Sequence, residues 1–173
     1  MEKARPVSLK EIRIRDNFWD KYRRLVREEI LKYQWCAMND QIEGAPKSHC
    51  IENFRIAAGE KQGEFYGAVF QDSDVAKWLE AVAYTLAEKP DKELKKLADR
   101  LIELIGRAQE PDGYFNTYFI LKEPGQRFRN LREGHELYTL GHMIEAAVAY
   151  KRATGEKRFL EIVQKMADLV ANT

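Results

Sequence analysis

The side chains of this chain that stand out by type and spacing are three histidines, two cysteines and a close pair of carboxylates. His135 is followed directly by Glu136, which invites a metal reading. The metalloprotease pattern His-Glu-x-x-His fails, because position 139 is Thr139. His135 and His142 are seven residues apart, so on one helix they share a face but stand ~10 Å apart along the axis. Ligands of one zinc each lie ~2 Å from it, so the two cannot share a metal, and no metal-ligating residue is expected. Cys36 and Cys50 have no dense cluster of metal-binding residues around them and read as reduced, partly buried thiols. Asp72 and Asp74 flank Ser73. They suit acid–base work as a pair, and equally suit the positive end of a helix that Ser73 would cap.

The elements that must position these groups read almost entirely as helix. The spacing predicts one helix from Asp16 or Asn17 with Trp19, Tyr22, Val26, Ile30 and Tyr33 inward. A shorter one follows Ser48, carrying Ile51 and Phe54. The segment from Gly63 to Phe70 reads as a packed aromatic loop. Ser73 is expected to cap a helix that Pro90 stops, and Asp91 to start the next one. After the Pro111-Asp112-Gly113 turn, a connection to Arg132 shows no period, and loops of that length in compact domains are commonly functional. The last two helices carry Leu140, Ile144 and Val148, then Phe159, Ile162, Met166 and Leu169. Val7, Leu9, Ile12 and Ile14 alternate, so residues 1–15 are expected to hold a short β segment.

An internal repeat organises the helices. Leu79-Glu80-Ala81 recurs 65 residues later as Ile144-Glu145-Ala146, and Asp91-Lys92 as Glu156-Lys157. The period is too long for the common short helical repeats and fits paired helices arranged as an α/α toroid, with short turns on one face and long connections on the other. The same offset aligns Phe70 with His135 and Gln71 with Glu136. The segments Phe70-Gln71-Asp72, Asp112-Gly113-Tyr114 and His135 to Tyr138 therefore converge on one rim. Aromatic faces beside carboxylate, amide and imidazole groups suit a sugar, whose C–H faces pack on π-systems and whose hydroxyls take directed hydrogen bonds.

The residues then become recognisable. Val69-Phe70-Gln71-Asp72-Ser73-Asp74-Val75 with Lys77-Trp78-Leu79-Glu80 resembles glycoside hydrolase family 127, the β-L-arabinofuranosidases. So do Tyr33-Gln34-Trp35, Met38-Asn39-Asp40, Lys47-Ser48-His49, Arg107-Ala108-Gln109, His135-Glu136 and Gly141-His142, in order along the chain. The resemblance implies the first part of an (α/α)6 toroid over residues 16–173, with the rest of the toroid and β-sandwich domains beyond this chain. It implies retaining hydrolysis of terminal β-L-arabinofuranosides, with a cysteine thiolate held on zinc as nucleophile and a glutamate as acid/base. Those groups are expected downstream of residue 173, so this chain supplies no catalytic residue and no zinc ligand. Cys36 and Cys50 do not match the thiolate positions. The resemblance makes His135 a contact to a substrate hydroxyl. Phe70, Gln71, Asp72, His49 and His142 are the further candidate substrate contacts. The partners implied are an L-arabinofuranosyl oligosaccharide or glycoconjugate and the rest of the same polypeptide.

Composition agrees with an ordinary folded protein: 45% hydrophobic and 33% charged residues. With 29 basic against 28 acidic side chains, the net charge of +1 argues against a nucleic-acid or anionic-membrane partner. The sequence opens into no apolar signal segment and holds no run near the ~20 residues of a membrane span, so a cytoplasmic location is expected. The alternative to an enzyme is a non-catalytic helical-repeat scaffold, because such folds host unrelated functions. Three hairpins cannot close a ring of six, so an exposed apolar patch is expected on the last hairpin, around Val148, Phe159 or Val163. If the chemistry lies downstream, purified residues 1–173 should release no chromophore from an aryl β-L-arabinofuranoside, and turnover near an intact enzyme's rate would overturn that division.

Overall fold

The computed structural model describes residues 7–173, and every regular element among them is helical. The expected β segment is not formed there. Val7 to Ile14 holds a 3-10 turn at Leu9–Glu11, and residues 1–6 lie outside the described part. No other strand stands among the described residues to satisfy an extended segment's backbone groups.

Helix α1 (Asn17–Leu25) starts where the Asp16 carboxylate accepts from the amides of Phe18 and Trp19. It runs through a π-helical turn at Val26–Ile30 into α2 (Leu31–Met38), all three in right-handed helical conformation at their junctions. α3 (Cys50–Ala57) follows a polar loop. α4 (Asp72–Glu88) and α5 (Lys92–Ala108) form the first long hairpin, and Asp91 caps α5 by accepting from Leu94 N. α6 (Thr117–Leu121) is a single turn and a half inside the connection that showed no period; five residues are too few to display one. α7 (Glu136–Thr154) and α8 (Arg158–Ala171) form the second long hairpin, turned by Gly155 at φ 85°, a conformation that favours glycine.

Ser73 does not cap α4. The helix begins two residues earlier than a Ser73 cap would place it, with Gln71 at its N-cap and no side-chain cap, and Ser73 is fully buried in the first turn. The reason is tertiary: Asp72 is drawn inward to bond Thr117, which pulls the helix start back along the chain.

The 65-residue repeat has a direct spatial meaning. α4 and α7 pack side by side and run parallel, so equivalent residues are neighbours. Lys77 lies over the Tyr138 ring near the two helix starts. Further along, Glu80, Tyr84 and Ala87 face Ile144, Glu145 and Val148 across a groove of about 800 Å³. Fully buried alanines, among them Ala76, Ala83, Ala146 and Ala147, supply the small volumes that helix axes need to approach closely. α3, α5 and α8 form a second layer behind them, α5 packing on both of the others. Gln109 ties this layer together by donating to Ile162 O at 2.8 Å.

The N-terminal rod does not repeat the hairpin polarity. Arg23 pairs with Glu88 at one end of α4, while Trp35 packs on Trp78 at 4.9 Å between ring centroids, so α1 and α2 run antiparallel to α4. The Trp78 indole N–H also donates to Leu31 O at 3.0 Å. The apolar patch expected on the last hairpin is likewise elsewhere. Phe159 and Val163 are buried and Val148 half-buried, whereas Phe18, Trp19, Tyr22 and Leu25 of α1 are exposed. α5 and α7 cover the apolar stripe of α8, and nothing among the described residues covers that face of α1.

Trp78 is thus the pin between rod and first hairpin. Its truncation, Trp78→Ala, should cost about 3–5 kcal/mol in urea unfolding, the usual range for removing a buried tryptophan side chain.

Candidate functional site

Two histidines occupy matching positions at helix starts. His49 precedes α3 at φ 55° and His135 precedes α7 at φ 51°, both in the left-handed region that a non-glycine residue adopts only at a cost. Such strain persists only where surrounding contacts determine it, and those contacts are visible at both places.

At His49 the organiser is Asp40, itself at φ 60°. Its Oδ1 accepts from the amides of Ser48 at 2.7 Å and His49 at 3.0 Å. Its Oδ2 lies 3.1 Å from His49 Nδ1, at ion-pair distance but outside hydrogen-bond geometry. The His49 ring packs on Tyr66 with centroids 4.7 Å apart. Asn53, fully buried, fixes Tyr66 by donating to its carbonyl and accepting from its amide.

At His135 the ring is held by aromatic edges, with no described residue hydrogen-bonding it. Phe70 meets it edge-on at 5.3 Å and Tyr138 at 5.7 Å, and Tyr138 in turn meets His142 at 4.6 Å. Lys77 Nζ sits 5.5 Å over the Tyr138 ring and 3.6 Å from Asp74. Phe70 and Tyr138 are both exposed, so the cluster is an open shelf of two aromatic rings and two imidazoles along the parallel helix starts. The two histidine centres adjoin: Cys50, next to His49, receives a 3.0 Å contact from the Gln71 amide, next to Phe70. Burial pushes the Cys50 thiol up from its ordinary value, which keeps it protonated and poorly reactive.

Behind the shelf lie two buried carboxylates. Asp72 is turned into the core and accepts from Thr117 N at 2.7 Å and Thr117 Oγ1 at 2.6 Å. Glu136, also fully buried, accepts from Phe128 N at 2.7 Å and from the Tyr114 hydroxyl. Burial, then the Glu136 bond, raises the Tyr114 hydroxyl far above the ordinary phenol range, so it stays a donor. The Arg127 guanidinium lies 3.9 Å over the Tyr114 ring and pairs with Glu110 and Asp112.

The residues expected to meet a ligand therefore divide. Phe70, His135 and His142 share the shelf, with His49 on its flank. Asp72 does not face it; both its oxygens are taken from behind. Gln71 is half-buried and its amide is already used, accepting from Ala68 N and donating to Cys50. Sequence reasoning placed Tyr138 at the end of a rim segment without naming it as a ligand contact, and named none of Lys77, Tyr66 and Asp40 as one. For Tyr138 a signal existed, since it stands three residues after His135 and four before His142, on one helical face. Among the described residues no group of three or more His, Cys, Asp or Glu side chains converges to hold a metal. No helix among them is long and apolar enough to cross a membrane.

A family model described as the β-L-arabinofuranosidase GH127 catalytic domain matches residues 11–173. The chain is 45% identical to the non-reducing end β-L-arabinofuranosidase of Bifidobacterium longum subsp. longum, covering 91% of this chain and 26% of that protein. Its fold is similar to a GH127 β-L-arabinofuranosidase from Geobacillus stearothermophilus T6, with a TM-score of 0.92 and 64% identity over 93% of this chain and 25% of that one. A second solved GH127 β-arabinofuranosidase gives a TM-score of 0.85 and 35% identity over 96% and 27% of the two chains. The chain thus spans about a quarter of the length of these relatives.

Burial pushes the Asp72 carboxyl up to about 7, against the opposing pull of the Thr117 bonds. The unfolded chain releases this proton near the ordinary carboxylate value, 3.8, and the folded one only near 7, so stability falls as pH rises through that window and levels above it. The slope should reach at most about 1.4 kcal/mol per pH unit. Asp72→Asn can donate to Thr117 Oγ1 and accept from Thr117 N, so urea midpoints measured from pH 5 to 8 should lose this slope in the variant.

Proposed function

The chain belongs to glycoside hydrolase family 127, and from that membership together with the shelf at the helix starts we propose that it is the N-terminal part of a retaining β-L-arabinofuranosidase. Its role in that enzyme is to supply part of the sugar-binding rim of a helical toroid. The observation that carries this reading is the set Phe70, His135, Tyr138 and His142, presented side by side by two parallel helices. Exposed aromatic faces stack on the C–H face of a furanose ring, and an imidazole whose nitrogens no described residue occupies is free to bond a ring hydroxyl. His49 and His142 extend the polar edge. Asp72 and Gln71 act from behind, by holding the backbone on which Phe70 stands.

The nucleophile, the acid/base glutamate and the zinc ligands belong, in this proposal, to the roughly three quarters of the relatives' length that lies outside the chain. What the shelf residues contribute is orientation: a furanoside held by stacking and by one directed hydrogen bond presents its anomeric carbon at a fixed angle, which lowers the entropic part of the barrier. The substrate class is a terminal β-L-arabinofuranoside carried on an oligosaccharide or glycoconjugate.

Activity of the full-length protein is the test. If the His135 bond strengthens in the transition state, His135→Ala should lower kcat/KM on an aryl β-L-arabinofuranoside at least tenfold, with the thermal midpoint within a few degrees of wild type. His142→Ala, further along α7 behind Tyr138, should lower kcat/KM less than His135→Ala does. Wild-type kcat/KM in His135→Ala would remove His135 from the site.

A further inference from the structure

The left-handed backbone of His135 needs something to hold it, and the candidate is the residue that follows it. Glu136 has no exposed surface, yet it lies one position from the imidazole assigned to the sugar. Its carboxylate does not face the shelf. It reaches back into the connection between α5 and α7 and takes two donors there, the Tyr114 hydroxyl and the Phe128 amide. Those donors come from opposite halves of the connection, and Phe128 is itself in the left-handed region at φ 60°. The Phe128 and Tyr114 rings also meet edge-on at 5.6 Å. One carboxylate therefore gathers two distant points of the loop and the start of α7 at one place. Both left-handed residues, His135 and Phe128, are direct parts of that closure.

The rest of the connection is built around the same point. Arg127 covers the outer face of Tyr114 and pairs with Glu110 and Asp112 at the loop's beginning. Gly113 turns the chain at φ 97° where a Cβ would stand 2.8 Å from Lys165 O, so the loop is also pressed onto α8. His135 has no hydrogen bond of its own to fix its ring among the described residues. Its orientation is inherited from the backbone on one side and from the edges of Phe70 and Tyr138 on the other.

We infer that Glu136 is a positioning residue for His135: by binding Tyr114 and Phe128 it imposes the left-handed conformation that turns the imidazole onto the shelf. The inference rests on the proposed sugar-binding role of His135 and adds the group that makes that role geometrically possible. Losing the clamp lets residue 135 relax to a right-handed start of α7, which swings its side chain off the shelf while leaving the helix itself intact.

The experiment uses the full-length protein and the aryl β-L-arabinofuranoside. Glu136→Ala and Tyr114→Phe should lower kcat/KM at least tenfold and threefold, respectively. Glu136→Gln should stay within threefold of wild type, because its amide oxygen accepts from Phe128 N and its NH2 donates to the Tyr114 oxygen. Tyr150→Phe is the control: it removes the hydroxyl bond of another buried tyrosine, 2.6 Å to the partly exposed Asp99 and far from the shelf, and should cost stability with kcat/KM unchanged. The deciding measurement is the double variant. If Tyr114 and Glu136 act through His135, then Tyr114→Phe placed in His135→Ala should cause no further loss in kcat/KM. Additive losses, or loss in Tyr150→Phe equal to that in Tyr114→Phe, would show a purely structural clamp and overturn the inference. Full kcat/KM in Tyr114→Phe and Glu136→Ala alongside a defective His135→Ala would overturn it while leaving the sugar-binding reading standing. Full kcat/KM in His135→Ala would instead sink that reading, and this inference with it.

Discussion

Two carboxylates sealed from water at the starts of α4 and α7 are the constraint on which the rest of this structure depends. A buried carboxyl group without partners is expensive, so each must find donors, and both find them in the connection between α5 and α7. Asp72 takes both from Thr117, at the start of α6. Glu136 takes one from Tyr114 and one from Phe128. A segment of more than twenty residues without strand or long helix is thereby fastened at three points to two helices, and breaking any of these bonds would strand a buried polar group.

That fastening explains why the exposed face above it can be rigid without being hydrogen-bonded. Phe70 and His135 stand at equivalent positions of a repeated unit, Phe70 two residues before the buried Asp72 and His135 directly before the buried Glu136. Each thus lies within two residues of a side chain locked into the core. The aromatic rings meet edge to edge, an arrangement that orients without consuming polar atoms. The His135 nitrogens consequently have no partner among the described residues, whereas His142 Nδ1 lies 3.4 Å from Glu145. The sugar site proposed for this shelf would have its polar capacity unspent and its geometry set in advance, which is the condition for tight orientation of a small polyhydroxyl ring.

The N-terminal rod obeys a different logic. It lies antiparallel to α4, pinned by Trp78 and Trp35 and by the Arg23 pair with Glu88, and it leaves a row of aromatic side chains on α1 uncovered among the described residues. The two long hairpins bury their apolar stripes against each other. The apolar surface left over therefore gathers on the rod, where the chain has no second copy of the repeat to pack against.

Helix existence was legible in the residues themselves, because apolar side chains at three- and four-residue spacing bury on one face whatever their neighbours do. Asp16 and Asp91 capped their helices for the same local reason, since a carboxylate reaches amides two or three residues on. The repeat was legible too, and with it the adjacency of Phe70 and His135, because stacked copies of one unit place equivalent residues side by side. What the sequence could not settle was decided by packing at a distance. Asp72 and Ser73 both look like capping residues in isolation, and only Thr117, 45 positions away, turns Asp72 inward and shifts the helix start. A strand over Val7 to Ile14 needs a neighbour to share its backbone bonds, and local alternation does not reveal that none stands among the described residues. α6 and the direction of the rod are invisible for the same reason: a five-residue helix has no period, and a helix read by its period has no direction in space. The left-handed turns at His49 and His135 were likewise not legible, since even histidine, which enters that region more often than most residues, adopts it only as a minority conformation, and only the packed structure shows which way the two imidazoles face.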